Sequence, residues 1–440
     1  MSRNPLLILA ASLTAMLVVA VTVFVLLLDS RAQDVWREVI PEANRLVQEA
    51  EPVPGSFAEA LGPLLPELTA WRRAAPELPP VAIRRSIDVE MGVRPWEELP
   101  VESVAALERG RALMRRVLAA THARSSGMPL QLTLLSSRRL KETDDLAARR
   151  ALRGMLSLVA LEIRRELSEG RVAEAASLCL EGLTLSREQA RSASAHGGGV
   201  VWRIAVILYR PCADALGALP EARRTEVSQQ LRALRSSLPP PSQLFRIEAV
   251  NVALITSGLL LSEAQLGQLA PPLRPVAVDS PMYLLEKSAW WLRPLAQENL
   301  ARQYAYYQAL ARAADLEPAA REQQFKAFEQ VFTQTWNPAN YVVPQSSARF
   351  HARHAHEQAA ALDALIAMLL MRQAHERDGR WPEALPELFP GERPWLPTTF
   401  RVHVDDAMHA TLEPTEPALA ELTLPLTAGG SAPQTPTPGR

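Results

Sequence analysis

The chain has 440 residues, 48% of them hydrophobic and 22% charged, a globular composition with material for a substantial core, which excludes a disordered protein. A formal net charge of −1 leaves no basic surplus, so a nucleic-acid surface is excluded as well. Lysine occurs only at Lys141, Lys287 and Lys326 while Arg and Ala are abundant, a bias that fits a GC-rich bacterial genome and says nothing of chemistry.

Leu6 to Leu28 carries no charge, and at about 1.5 Å per helical residue it exceeds the roughly 30 Å hydrocarbon core of a bilayer. Residues 5–28 therefore read as a transmembrane anchor in contact with lipid, behind a cytoplasmic tip of residues 1–4. Ser30-Arg31-Ala32 resembles a small-x-small cleavage site, but a signal-peptide apolar region is about 7 to 15 residues, and this longer one reads as retained. No Cys follows it directly, as a lipoprotein signal requires, and the Gly-Phe-x-x-x-Glu pattern of a type II pseudopilin is absent. Arg3 and the amino terminus precede the span, while Asp29, Arg31 and Asp34 follow it. The expected placement is a single pass through the inner (cytoplasmic) membrane, with the body on the periplasmic or extracytoplasmic side.

Residues 29–100 are broken by Pro52, Pro54, Pro63, Pro66, Pro76, Pro79 and Pro80 and read as a proline-rich stalk. From Val101 to residue 377 an all-α body is expected. Leu152, Met155, Leu156, Val159, Ala160, Ile163 and Leu167 recur at helical spacing, Gly170 sits where a left-handed cap belongs, and a second helix from Val172 to Ser192 completes a helical hairpin. Cys179 lies on the apolar stripe of that second helix. Cys179 and Cys212 can pair in an oxidising compartment, although a buried thiol is the better-supported reading of Cys179.

Gly197 to Gly199 interrupt the pattern, but no strand precedes them and no Gly-Lys-Ser/Thr follows, so they are not a phosphate loop. Helices are then expected from about Val200 with a kink at Pro211, from Pro220 to Leu238, from Ser242 to Gln268, from Ser280 to Asp315 and from Pro318 to Phe332. Phe325, Phe328 and Phe332 share one face of the last of these and read as core. A long helix from Ser347 to Arg377 follows. In residues 378–425 a short helix and a β-hairpin, Phe400 to Val404 with Met408 to Leu412, form a small C-terminal element, and 426–440 reads as a disordered tail.

The densest candidate for chemistry is Arg349 to Glu357, with His351, His354 and His356. His351 and His354 are about 60° apart on a helix and are the candidate metal ligands, while His356 points to the opposite flank. His375 lies about 30 Å along the same helix and cannot join them. The zincin pattern fails because Ala360 stands where its second His belongs, and no G-x-S-x-G or Ser-x-x-Lys occurs. Asp144-Asp145 and Glu97-Glu98 read as solvated charges. No catalytic residue and no cofactor is assigned.

Two stretches carry a resemblance. Glu162 to Glu188, EIRRELSEGRVAEAASLCLEGLTLSRE, and the box DGRWPEALPEL, Asp378 to Leu388, are similar to a group of uncharacterised bacterial proteins with an N-terminal anchor and a mostly helical envelope body. The first stretch also looks like a single tetratricopeptide-type hairpin, without a copy 34 residues away. In the second, Asp378 stands where the group has His. The resemblance implies an anchored helical fold and no activity.

The expected protein is thus a mainly α, single-pass envelope protein acting as a helical scaffold or protein-interaction module, with an envelope protein as partner. The alternatives are an envelope enzyme or metal-binding protein using His351 and His354, and a small-molecule or cell-wall binding module.

Overall fold

A computed structural model of the chain describes residues 5–49, 51–75, 78–128, 144–191, 207–257, 261–273, 293–334, 348–382 and 400–428. The fold is mostly helical, with a small antiparallel sheet near the C-terminus. Helix α1 runs from Pro5 to Glu49. It is followed by α2 (Phe57–Leu61), α3 (Leu65–Ala74), α4 (Pro80–Glu90), α5 (Val101–Ala120), α6 (Asp144–Ser168), α7 (Val172–Arg191), α8 (residues 207–217) and α9 (Glu221–Ser236). Then come α10 (Pro241–Ser257), α11 (Glu263–Gln268), α12 (Arg293–Ala314), α13 (Pro318–Gln334) and α14 (Ala348–Asp378).

By length and composition α1 can cross a membrane. Its outer half leaves Leu13, Met16, Leu17, Val18 and Phe24 more than half exposed. The helix does not stop at Leu28, where the apolar run ends. Leu28, Ala32, Val35, Trp36, Val39, Ile40, Ala43, Leu46 and Val47 are buried at intervals of three and four, one apolar stripe against α10 and α12. Polar clamps accompany it. Asn44 donates to the Gln268 carbonyl at 2.7 Å and accepts from the Ala270 amide at 2.8 Å, and Gln297 donates to Asp29 at 2.6 Å.

The proline-rich stretch expected as a stalk is also packed into the body. Phe57, Leu61, Leu64, Leu68 and Val89 belong to the same apolar core as α5, α6 and α7. Its prolines open helices rather than break them: Pro80 is the first residue of α4 and Pro100 precedes α5. A helix start has spare N–H groups, so proline's missing donor goes unnoticed there.

Two cores result. The first joins α2 to α9, α14 and the sheet; the second joins the inner half of α1 to α10, α12 and α13. In the second, Phe245 and Phe325 meet edge to face at 5.6 Å, and Phe328 packs at its margin. Of the aromatic face expected to be core, Phe325 is buried and Phe328 partly so, while the side chain of Phe332 lies outside the described residues.

The turn between α6 and α7 closes as a Schellman motif. Gly170 adopts φ +74°, its amide donates to Leu167 at 3.0 Å and Arg171 donates to Glu166 at 2.8 Å. Opposite this hairpin, Cys179 of α7 and Cys212 of α8 form a disulfide, with Cα atoms 5.3 Å apart. This corrects the free-thiol reading of Cys179. The apolar stripe of α7 does bury it, but α8 delivers the second sulfur to the same place, within the Cα spacing that a disulfide needs.

The C-terminal element is the expected hairpin, β1 (Phe400–Val404) paired antiparallel with β2 (His409–Pro414), extended by a third strand, β3 (Leu424–Thr427), in that order. The boundary expected at 425 falls inside β3. Leu424 and Leu426 face the core beside Ala410 and Leu412, and Pro425, on the edge strand, is exposed. Tyr209 of α8 ties the sheet down by donating to the Leu422 carbonyl at 2.6 Å. Trp381 packs back on α14, its ring 4.3 Å from that of His375, after Gly379 ends the helix at φ +67°. Gly197 to Gly199, the expected helix start at Ser280, the helix after Pro382 and the tail beyond residue 428 lie outside the described residues.

Trp36 is 1% exposed within the second core. Trp36→Ala is expected to destabilise the body by roughly 3–5 kcal/mol, whereas Leu17→Ala on the exposed half of α1 leaves it unchanged. Denaturant midpoints of the detergent-solubilised protein measure both.

Candidate functional site

The sequence places three arginines near the apolar stripes of α6, α8 and α14, and the fold brings them to one cleft. Arg164 follows Ile163 on the margin of the α6 stripe. Arg372 follows Leu365 and Leu369 on the stripe of α14 itself, where an apolar side chain is expected. Arg210 comes from α8. Together with the turn after α4, which supplies Gly92 to Glu97, and with β3, these helices enclose a cleft of about 520 Å³. That is the size of a small-molecule or side-chain pocket.

Four arginines, Arg94, Arg164, Arg210 and Arg372, line the cleft against two carboxylates, Glu97 and Asp214. Trp96, Leu167, Val172, Met368 and Leu424 provide apolar walls. Arg94, at the rim, is already neutralised by Asp88 at 3.2 Å and Glu98 at 2.5 Å. Arg164 is held deeper. Its Nε donates to the Glu90 carbonyl at 3.0 Å and its Nη1 pairs with Asp214, leaving Nη2 buried without a partner among the described residues.

Gly92 makes that placement possible. A Cβ at Gly92 would sit 2.5 Å from Nη2 of Arg164, and its φ of +71° is a conformation that L side chains rarely adopt. The guanidinium therefore lies flat against bare backbone.

Arg372 is 8% exposed, and its Nε has no hydrogen-bond partner among the described residues. The nearby acids are engaged elsewhere: Glu376 pairs with Arg224 and Asp214 with Arg164. Burial, reinforced by the charge of Arg224, depresses the Arg372 pKa, and Glu376 and Asp214 only partly offset this. The floor of the cleft is thus electropositive and incompletely neutralised.

Elsewhere on α14 lies a buried polar layer. His356, Glu357, Gln358 and Asp363 are each no more than 5% exposed. His356 Nε2 lies 3.1 Å from Glu416, and Gln358 donates to Ser186 at 3.2 Å. Arg235 grips Asp363 with two hydrogen bonds of 2.7 and 3.1 Å. Burial pushes the Asp363 carboxyl up to about 7, against the opposing pull of Arg235.

His351 and His354 lie on the first turns of α14, but their side chains are outside the described residues. His375, twenty-one residues beyond His354, contacts the Ala407 carbonyl at 3.0 Å and stacks on Trp381. Among the described residues no group of three or more His, Cys, Asp or Glu could hold a metal ion. Glu97 and Glu98, read as solvated, are exposed at the cleft mouth. The cleft arginines escaped the sequence reading because arginine is common in this chain. The available signal was Arg372, a charge on an otherwise apolar stripe.

Comparison of the chain with protein-family models, with curated proteins and with solved structures finds no match.

Glu90, behind Arg164, is 6% exposed, and burial pushes its carboxyl up to about 8. A folded-state pKa above the unfolded value makes the protonated form the stable one. The stability tied to this group is complete below about pH 4.5 and is lost as the pH rises through about 8. Between those limits the denaturant midpoint of Glu90→Gln is expected to fall less than that of the wild type, a difference on the order of a few kcal/mol at the alkaline end.

Proposed function

We propose that this protein is a single-pass, membrane-anchored helical scaffold of the cell envelope. Its body stands on the periplasmic or extracytoplasmic side of the inner membrane and binds a protein partner there through the arginine-floored cleft, without catalysing a reaction. The observation that carries this is the chemistry of the cleft. Arginine stays protonated at physiological pH, so it can hold and orient an anionic group but cannot take up or release a proton. Among the described residues the cleft holds no histidine or cysteine, and of its two carboxylates Asp214 is engaged by Arg164 while Glu97 is exposed at the mouth.

The disulfide between Cys179 and Cys212 supports the compartment, since such bonds persist where thiols are not kept reduced. The continuity of α1 supports the tether. Its membrane-length half runs straight into the stripe that builds the second core, so the body is held close to the bilayer instead of swinging on a flexible linker.

Crosslinking in native membranes followed by purification is expected to recover a specific protein, and recovery of nothing above background removes the scaffold reading. Protease added outside spheroplasts is expected to digest the body, and a protected body reverses the orientation. Alkylation should label neither cysteine before reduction and both after it. Replacing both by Ala is expected to lower stability by about 3–4 kcal/mol, the loop-closure value for a cross-link spanning 33 residues.

A further inference from the structure

The unneutralised guanidinium of Arg372 lines the cleft and is nearly buried in its floor. Gly217 of α8 lies against it, and a Cβ built on that glycine would stand 3.3 Å from Nη2 and 3.6 Å from Nε. Those two nitrogens form the side-on fork that grips two oxygens of one anion in parallel hydrogen bonds. The absence of a side chain at Gly217 leaves the face of the guanidinium uncovered there, and Nε, itself buried, has no protein acceptor among the described residues. Arg210, on the same cleft wall, makes no ion pair among the described residues.

Arg224 repels Arg372, while Glu376 and Asp214 attract it from positions where each is already paired with another arginine. An unpaired charge taken out of water destabilises the fold, so a well-packed apolar residue at position 372 would be the more stable choice. The charge therefore lacks a counter-ion that something other than the described chain must supply.

We propose that the cleft is a carboxylate site. The guanidinium of Arg372 holds the carboxylate, the side chains of Arg164 and Arg210 complete the positive floor, and Leu167, Val172 and Met368 receive an apolar group attached to the carboxylate. The ligand is thus an apolar acid, either a free small molecule or the chain end of a protein partner. This rests on reading the cleft as a binding surface, but not on the membrane topology.

The test is thermal unfolding of the full chain in non-ionic detergent, with acetate, hexanoate and hexanamide as probes. Hexanoate is expected to raise Tm saturably, acetate to do so only at higher concentration, and hexanamide not at all, because it keeps the apolar tail and lacks the charge. Arg372→Met is expected to unfold at a higher temperature than wild type without ligand and to lose the hexanoate response. Arg372→Lys, which keeps the charge but not the fork, should weaken hexanoate binding at least tenfold.

An N-acetylated Ala-Leu dipeptide with a free carboxylate, set against its amide, separates the two sources. If it binds more tightly than hexanoate the ligand is a chain end; the reverse order assigns a free acid. Equal responses to hexanoate and hexanamide overturn the proposal. So does a hexanoate response that survives in Arg372→Met, or a lower Tm for that variant, which would make the arginine a structural support. Loss of the carboxylate response alongside a crosslinked partner that is still recovered removes the anion site and leaves the scaffold reading standing.

Discussion

Helix α1 passes from exposed apolar surface to buried apolar surface along one continuous helix, and the second core depends on that passage. The outer half offers apolar side chains on every side, as a segment bathed in lipid requires. The inner half narrows to a single stripe that α10 and α12 cover, with Asn44 and Asp29 making polar contacts at its flanks. A helix rotates by about 100° per residue, so a body packed on the inner stripe has its rotation about the helix axis set relative to the outer segment. The arrangement couples the orientation of the body to the outer half of α1.

Buried charge is the second constraint, and the body satisfies it nearly everywhere. Glu162, fully buried, meets Arg111, Arg115 and Arg165. Glu188, 1% exposed, accepts the amides of Ser126 and Gly127 at 3.1 and 2.7 Å. Asp363 has the two-point grip of Arg235. Removing one partner from such a pair typically destabilises by about 3–5 kcal/mol, so these groups specify how the helices dock as well as how firmly. Glu90 and Arg321 depart from this pattern, and so does Arg372, because the acids within its reach are committed to other arginines.

Patterns that live within one element were legible in the sequence. The helical hairpin with Gly170 at its turn, the long α14 ended by Gly379, the buried Phe325 of α13 and β1 all follow from local periodicity and capping. What failed was contact between distant segments. The stalk reading assumed that prolines break structure, while Pro80 and Pro100 start helices whose apolar faces find α5 and α6. The third strand was missed because Leu424 and Leu426 alternate around a proline, a pattern that makes sense only beside β2. Cys212 revealed nothing of its partner, since α8 reaches α7 only in the folded chain.

The sequence by itself determined a charge-free N-terminal segment of membrane length, the helical class of the body and the place of its main turns, because hydrophobic periodicity and backbone capping act over a few residues. Only the tertiary structure decided that α1 is also a core helix, that Cys179 pairs with Cys212, and that Arg164, Arg210 and Arg372 share one cleft. An arginine alone reads as a solvated charge. Its meaning depends on whether a carboxylate lies within about 4 Å, and that distance is set by the packing of helices far apart in the chain.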